Sequence, residues 1–359
     1  MQTPLEFGWF LPTSGDTTCY GDKDRFIEPS AELFDRVVLA AEAAGFEYFL
    51  VPVASTCWEA WISSAMAVAK TKRIKALVAA RPGYVSPVQL AKMGAAFDRL
   101  SGGRLAINLI AGQSDAEALS EGITLSKEDR YALMDEDVAI MKALWGQKGG
   151  VTFDGRFHTL KNAHVSPRPE TMPRFYLGGG SMEAWEVSAK HSDIHLFWGD
   201  TPERIATNIG IIRAMAARHG RAATIGFGMR LQILCRQTEA EAWDAARELV
   251  RDVSEAQTRF VRTHYASSAA NRRVQELARE HGERIGPHLW TGITRVRPGA
   301  GIVIVGNPGQ CAATLQQFID LGCTSFCLSG YLHDEEAMRF SKWVRPILEE
   351  RNRGRMLAA

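Results

Sequence analysis

Short apolar runs alternate with segments of helical periodicity along nearly the whole chain. Runs of about four to eight residues rich in β-branched and aromatic side chains are typical of strands that are buried on both faces. We predict eight such strands: Phe7–Leu11, Tyr48–Val51, Ile74–Ala80, Leu105–Ala111, Arg174–Leu177, Ile194–Trp198, Ile225–Cys235 and Ser325–Leu328. The predicted helices that follow them are Ser30–Ala44, Cys57–Ala69, Pro87–Leu100, Lys127–Leu144, Met182–Lys190, Pro202–His219, a helix from Glu239 onward, and Glu335–Glu349. This alternation predicts an α/β fold, a (β/α)8 barrel of the TIM type.

Two stretches interrupt the alternation. Residues 146–173 are rich in glycine, proline and histidine, which predicts an excursion that holds a small hairpin. Residues 251–299 are longer than one crossover helix and contain nine arginines, no lysine and five acidic residues. Because this segment follows the seventh strand, we expect a mobile lid over the active-site mouth; a solvated basic helix is the alternative. With both insertions, residues 1–359 are expected to form a single barrel domain.

Composition narrows the classes of partner. The formal net charge is +1, so neither a nucleic acid nor an anionic membrane surface is an expected partner. The first residues lack the basic start and apolar run of a signal peptide, and no run of about 18 apolar residues is present. The six cysteines form no C-x-x-C pair, which is typical of a reducing compartment, and no histidine cluster has metal-ligand spacing. We therefore expect a cytoplasmic, soluble protein without a metal.

Four of the predicted strands end near side chains that carry chemistry. These are Cys57 after the second strand, Trp198 at the end of the sixth, Arg230 and Gln232 on the seventh, and Tyr331 and His333 after the eighth. Because the carboxyl ends of the strands meet at one end of a barrel, these side chains are expected to share one mouth. Each also has a structural alternative: Arg230 pairs with a buried carboxylate, Cys57 and Trp198 pack in the core, and the loop pair packs locally.

Two further features predict a bound ligand. Asn108 lies inside the fourth strand, where a buried amide needs a partner, either a neighbouring strand or a bound ring. The turn Gly178-Gly179-Gly180-Ser181 follows the fifth strand and opens a helix. Bare amides at a helix N-terminus bind phosphate, so this turn is the expected phosphate site.

An ordered set of motifs resembles the bacterial luciferase-like flavin monooxygenases, and among them the reduced-FMN-dependent alkanesulfonate monooxygenases. The motifs in the first half are Trp9-Phe10-Leu11-Pro12-Thr13-x-Gly15-Asp16, Ser55-x-Cys57-x-x-Ala60-Trp61, Arg81-Pro82-x-x-x-Ser86-Pro87, Asp98-x-Leu100-Ser101-x-Gly103-Arg104 and Asn108-x-x-x-Gly112. Those in the second half are Trp198-Gly199-x-x-Pro202-Glu203, Leu289-Trp290-x-Gly292, Val296-Arg297-x-Gly299-Ala300-Gly301 and Ser329-Gly330-Tyr331-x-His333-x-Glu335-Glu336. The resemblance extends from about residue 6 to about residue 349.

This resemblance implies a two-component reaction in which reduced FMN and O2 convert an alkanesulfonate to sulfite and an aldehyde. It implies a separate NAD(P)H:FMN reductase as partner and a homo-oligomer, either a dimer or a tetramer. The family's substrate and lid arginines correspond to Arg230 and Arg297. The remaining matched positions are Cys57, Trp198, Tyr331 and His333 around the reacting flavin and substrate, and Asn108, Gly112, Tyr131 and the Gly178–Ser181 turn for binding FMN.

One departure bears on the substrate. Relatives usually carry a histidine two residues after the strand-seven arginine, whereas this chain has Gln232. Two strand positions after Arg230, its side chain is expected to face the mouth and to contact polar groups of the substrate, with a neutral structural replacement as the alternative. Methanesulfonate, longer alkanesulfonates and sugar sulfonates such as sulfoquinovose remain open as substrates. A luciferase-like oxidoreductase that uses FMN or F420 on another substrate, and a non-catalytic flavin-binding relative, are the competing functions.

Overall fold

The computed structural model describes residues 4–112, 114–265, 268–297, 299 and 301–355. Ala300 of the motif set and residues 266, 267 and 298 of the predicted lid therefore lie outside the described residues. The strands are β1 (Glu6–Phe10), β2 (Asp16–Thr17), β3 (Phe26–Ile27), β4 (Tyr48–Val51), β5 (Lys75–Ala80), β6 (Leu105–Leu109), β7 (Val151–Asp154), β8 (Thr159–Ala163), β9 (Arg174–Gly178), β10 (Ile194–Trp198), β11 (Gly226–Arg230), β12 (Gln232–Cys235), β13 (Leu289–Trp290), β14 (Val303–Gly306) and β15 (Cys323–Leu328).

Eight parallel strands close into a barrel in the order β1-β15-β11-β10-β9-β6-β5-β4, and β4 pairs back onto β1. Each of the eight predicted strands overlaps one of these, so the predicted (β/α)8 barrel is confirmed. The register places Arg230 opposite Trp198 on one side and Cys327 on the other. Residues from three different strands thus meet at the same level of the barrel.

The helices surround the barrel. They are α1 (Ala31–Ala43), α2 (Ala60–Lys70), α3 (Pro87–Ser101), α4 (Asp115–Ser120), α5 (Lys127–Gly146), α6 (Met182–His191), α7 (Pro202–Ala217), α8 (Glu239–Leu249), α9 (Glu255–His264), α10 (Ala269–His281), α11 (Pro308–Asp320), α12 (His333–Arg339) and α13 (Arg345–Arg351), with a π-helical turn, Phe340–Val344, between the last two. Helix α3 shows how the sequence sets their ends. Ser86 accepts a hydrogen bond from the Gln89 amide, Pro87 takes the first helical position, and Gly102 ends the helix at φ 72°. No helix in the described ranges is both long enough and apolar enough to cross a membrane.

Alternation along the strands divides the core into two layers. Side chains that point inward form one cluster, made of Phe10, Tyr48, Leu50, Leu77, Ala106, Tyr176, Ile194, Leu196 and Cys327. The intervening residues, such as Phe7 with its ring 5.3 Å from that of Phe340, pack outward against the helices. The inward positions near the strand ends therefore form the floor on which a ligand would rest.

The seventh predicted strand, Ile225–Cys235, is divided in two. Arg230 ends β11 in the barrel, and Gln232 begins β12, which pairs with β14 in a separate three-stranded sheet of order β12-β14-β13. The backbone shows the change of partner, because the amide of Leu231 donates to the Cys327 carbonyl while that of Gln232 donates to Ile302. The prediction of one continuous strand was wrong, and β14 and α11 were not predicted at all.

Two local findings bear on the predicted interruptions and on Cys57. In residues 146–173, β7 and β8 form an antiparallel hairpin. Residues 251–299 contain α9, α10, β13 and a 3-10 turn, Gly292–Arg295. The predicted helix start at Cys57 was wrong: α2 begins at Ala60, because the Glu59 carboxylate accepts a hydrogen bond from the Ile62 amide at 2.7 Å and caps the helix there.

Candidate active site

A cavity of about 770 Å³ opens at the carboxyl ends of the barrel strands. Its floor includes inward residues of the barrel cluster, such as Phe10 and Leu196. The sequence-predicted residues on its wall are Cys57, Asn108, Gly112, Tyr131, Gly178, Gly179, Gly180, Ser181, Trp198, Arg230 and Arg297. The barrel topology therefore gathers most of the predicted site residues into one space, and Gln232, Tyr331 and His333 are the exceptions.

The glycine turn forms one corner of the cavity. Ser181 caps α6 by accepting a hydrogen bond from the Ala184 amide, and the turn runs directly into the helix N-terminus. Gly179 has φ 151°, and a Cβ there would lie 2.8 Å from the Ala184 Cβ, so no larger residue fits without a shift. Burial raises the pKa of Tyr131 to about 12, although a hydrogen bond with Ser181 opposes this, so its phenol is a donor. Exposed amides, a hydroxyl and a phenol suit a phosphate.

Asn108 supplies a second polar point on the wall. It lies on β6, paired with Ala79 on β5 and with Tyr176 on β9, and it is 6% exposed. Its Oδ1 has no hydrogen-bond partner among the described residues. A buried acceptor without a donor is costly, so the side chain is suited to receive an N–H group from a bound ring. A flavin carries both such an N–H group and a phosphate, and the residues present therefore fit FMN.

Two arginines meet at Phe10. The guanidinium carbon of Arg230 lies 4.6 Å from the Phe10 ring centroid, and that of Arg297 lies 5.1 Å from it. Arg230 donates to the Leu231 carbonyl at 2.8 Å and to Ser329 Oγ at 3.0 Å. Within the described residues neither guanidinium lies within 4.0 Å of a carboxylate, so the structural alternative for Arg230, a buried ion pair, does not occur among those residues.

The charges of this pair remain uncompensated within the described residues. Burial lowers the pKa of Arg230, and the nearby charge of Arg297 lowers it further. Burial also acts to lower the pKa of Arg297, but Tyr331 and Tyr20 outweigh it, and the pKa is raised. Nη1 of Arg297 has no hydrogen-bond partner in the described part of the chain. An anion bound here could accept hydrogen bonds from both guanidiniums.

Tyr331 and His333 lie behind the wall rather than on it. They are 5% and 1% exposed, and the prediction that they face the mouth directly was wrong. The reason is Asp16: its carboxylate lies 2.9 Å from Nδ1 of His333 and also accepts a hydrogen bond from the His333 amide at 2.8 Å, which draws this residue into the fold. Burial opposes ionisation of Asp16, but the charge of His333 and these hydrogen bonds outweigh it and lower the pKa of the carboxyl.

Cys57 lies on the cavity wall, but it is not at the start of a helix, where its pKa would be lowered. It precedes the first residue of α2 by three positions and is outside the first turn, so the helix dipole does not act on it directly. Burial raises the pKa of Cys57, and a hydrogen bond with Thr13 and the charge of Arg297 oppose this only in part. The thiol therefore stays protonated near neutral pH.

Gln232 does not reach the cavity. It is fully buried in β12, where its backbone pairs with β14, and it is not part of the cavity wall. The prediction that it shares a face with Arg230 was wrong, because the strand leaves the barrel at Leu231 and the two-residue alternation does not carry across that break.

Several wall residues were not identified from the sequence. Asp16 was only one position in a motif, and Tyr20 follows it by four residues without a periodic signal. Segment 251–299 contributes Ala256, Gln257, Phe260, Val261, Tyr265, Ser268, Ala269, Ala270, Val296, Arg297 and Gly299. Its position over the mouth was expected, but the helices α9 and α10 were not predicted individually, so the side chains that they direct at the cavity were not identified.

Comparisons with known proteins agree with this architecture. A family model described as luciferase-like monooxygenase matches residues 5–325. The structure of EDTA monooxygenase from Chelativorans sp. BNC1 superposes with a TM-score of 0.78 at 17% identity, covering 99% of this chain and 96% of that one. Riboflavin lyase with modified FMN and riboflavin has the same TM-score and identity, covering 99% and 93%.

An F420-dependent secondary alcohol dehydrogenase in complex with an F420–acetone adduct also superposes, with a TM-score of 0.71 at 17% identity, covering 97% of this chain and 99% of that one. At such low identity, these structural similarities establish the fold and not the substrate. The family model is the stronger finding, because it spans most of the sequence. By that match, this chain belongs to the luciferase-like monooxygenase family.

Proposed function

We propose that this enzyme is a reduced-FMN-dependent monooxygenase that acts on an organosulfonate. In the proposed reaction the sulfonate, O2 and FMNH2 give an aldehyde, bisulfite, FMN and water; the carbon–sulfur bond breaks and one oxygen atom of O2 enters the aldehyde. A separate NAD(P)H:FMN reductase supplies the reduced flavin. The observation that carries the proposal is the pair Arg230 and Arg297, which share the Phe10 ring without a carboxylate partner in the described residues.

The chemistry of a sulfonate matches this pair. Its three oxygens accept hydrogen bonds and share one negative charge, and planar guanidiniums bind such groups through two parallel hydrogen bonds. The attraction is strong because Arg230 is only 7% exposed, so water screens it little. Phe10, whose ring lies close to both cations, lines the cavity and offers apolar surface to the carbon chain of the substrate.

The rest of the wall is assigned to the cofactor. Asn108 Oδ1 would accept from the flavin ring, and the Gly178–Ser181 turn with Tyr131 would hold the phosphate. Bound reduced FMN supplies the electrons that activate oxygen. The protein binds and orients both ligands, and segment 251–299 over the cavity excludes water from them.

Sulfite release is the direct test. The enzyme is supplied with FMNH2 by a flavin reductase, in air, with methanesulfonate, octanesulfonate and sulfoquinovose in parallel. We expect sulfite from at least one of them, and only when oxygen, reduced flavin and sulfonate are all present. Sulfite from none of the panel, or sulfite formed anaerobically, would overturn the proposal. Tighter binding of F420 than of FMN in a titration would instead favour hydride-transfer chemistry.

Two variants test the arginines. Arg230→Ala removes a desolvated fork and should lower kcat/KM by at least about tenfold, the equivalent of about 1.4 kcal/mol. Arg297→Lys keeps the charge but loses the planar fork and should also impair turnover. Arg279→Ala, which removes an exposed arginine from α10, is the matched control and should retain wild-type turnover. Unchanged turnover in both folded cavity variants would place the anion elsewhere.

A further inference from the structure

Tyr20 carries a phenol to the cavity wall, and Tyr331 lies directly behind it. The Tyr20 hydroxyl donates to the Tyr331 hydroxyl across 3.3 Å, and the two rings meet edge to face with centroids 5.7 Å apart. Tyr20 lines the cavity, whereas Tyr331 is 5% exposed and is not part of the wall. Of these two phenols, Tyr20 is therefore the one that a ligand meets first.

The backbone around Tyr20 is held on both sides. The Tyr20 amide donates to the Leu249 carbonyl at 2.9 Å, and its own carbonyl accepts a hydrogen bond from Gln257 on α9. At the next residue, Gly21, a Cβ would lie 2.1 Å from the Arg251 carbonyl oxygen, so the loop packs closely against the end of α8. These contacts hold the main chain at Tyr20, and the edge-to-face contact with Tyr331 holds its ring.

The phenol pair also adjoins the anion site. The guanidinium of Arg297 lies 5.8 Å from the Tyr331 ring centroid, and Tyr331 and Tyr20 together raise the pKa of that arginine. Burial, followed by the nearby Tyr331 hydroxyl, raises the pKa of Tyr20 well above its ordinary value, so it keeps its proton. The cavity thus presents a neutral hydroxyl donor beside its cationic pair.

We propose that Tyr20 is a substrate-contacting catalytic residue that donates a hydrogen bond to an oxygen of the sulfonate held by Arg297, and that Tyr331 is a positioning residue that acts through it. When the Tyr20 hydroxyl turns to the sulfonate, its oxygen becomes free to accept a hydrogen bond from the Tyr331 hydroxyl. Chains of hydrogen bonds of this kind strengthen one another. This inference rests on the proposed function and identifies how its anion is recognised.

A double-mutant cycle with Tyr20→Phe, Tyr331→Phe and the double variant tests both parts. Tyr20→Phe keeps the ring and its packing and should lower kcat/KM for the sulfonate by about 10- to 100-fold, as expected for a hydrogen bond to a charged group. Tyr331→Phe alone should raise KM and the anaerobic Kd of the sulfonate, measured by tryptophan fluorescence with reduced FMN bound. In the Tyr20→Phe background it should change neither constant by more than about twofold, the signature of action through one group.

The controls separate this inference from the proposed function. Tyr84→Phe removes a phenol that lies outside the cavity wall and bonds to Glu121 and Arg81. Arg81 keeps its ion pairs with Glu117 and Glu121, so this variant should behave as wild type. Binding of reduced FMN should be unchanged in every variant, and loss of it would overturn the inference, since the effect would then be structural. Wild-type kcat/KM in Tyr20→Phe, or multiplying effects in the double variant, would overturn the inference and leave the function standing. If the wild type releases no sulfite, the function itself fails and the inference falls with it.

Discussion

Arg273 joins α10 of segment 251–299 to the barrel, and its replacement should loosen that helix. Its Nε and Nη2 lie 2.8 and 3.1 Å from the two carboxylate oxygens of Asp200, two residues beyond the end of β10. The Asp200 side chain is 7% exposed and that of Arg273 is 32% exposed, so the pair is partly shielded from water. Arg273→Met keeps the length of the side chain and removes the fork.

The expected cost follows from what Asp200 retains. Its Oδ1 still accepts a hydrogen bond from the Thr201 amide at 2.7 Å, so the carboxylate is not left without a partner. The loss is then that of charge-assisted hydrogen bonds, reduced by the exposure of the arginine, and we estimate about 2 kcal/mol. A change of this size multiplies the population in which α10 is open by roughly 30-fold.

Hydrogen exchange on the full chain measures this population. The protection of backbone amides in residues 269–281 should fall by roughly 30-fold in Arg273→Met, since local opening governs their exchange. Arg279→Met is the matched control, because it removes an exposed arginine from the same helix, and it should keep wild-type protection. Equal protection in wild type and Arg273→Met, or an equal loss in both variants, would refute the assigned role of the Asp200 contact.

Three further predictions concern the turn, the core and the divided strand. Gly179→Ala should weaken FMN binding in a fluorescence titration, because its Cβ would lie 2.8 Å from that of Ala184 at φ 151°. Burial lowers the pKa of His195 to about 3, so its contribution to stability is complete above about pH 6.5 and is lost as the pH falls towards 3. The free energy of unfolding, measured with urea, should be lower at pH 5 than at pH 7, by up to about 1.4 kcal/mol for each pH unit below about 6.5. The difference between the two pH values should be smaller in His195→Gln. Gln232→His should leave the ratio of kcat/KM for sulfoquinovose and octanesulfonate unchanged, because Gln232 lies outside the cavity wall.

Regular periodicity allowed much of the barrel to be predicted. The eight strands and the helices that begin at a capping serine or a proline, such as Ala31–Ala43 after Ser30, follow from patterns that span several residues. The exceptions were β14 and α11, which were not predicted: β14 belongs to a short apolar run, residues 302–305, between Gly301 and Gly306, and α11 follows it directly. The three-stranded sheet that contains β14 was therefore not predicted.

Most of the site residues on barrel strands, and several on loops, were predicted correctly, whereas the predictions that failed depend on a break in a strand or on a long-range contact. Arg230, Asn108 and Trp198 sit on barrel strands, and their direction follows from alternation. The prediction that Gln232 faces the cavity failed because the alternation of side chains holds only within one strand. His333 failed because the Asp16 carboxylate, more than 300 residues away in sequence, pulls it inward. Contacts of this range leave no local signal in a single sequence.

The two arginines of the cavity belong to different parts of the molecule. Arg230 ends a barrel strand, and Arg297 lies in segment 251–299 above it, so an empty cavity opposes two like charges. If the proposed substrate binds between them, its negative charge offsets that repulsion and favours the arrangement in which the segment packs on the barrel. By thermodynamic reciprocity, a seated segment must raise the affinity for the anion by the same factor. In an enzyme of the proposed kind, the substrate is thus also the counterion of the two arginines. Reduced flavin would then be shielded from water best when the substrate is bound.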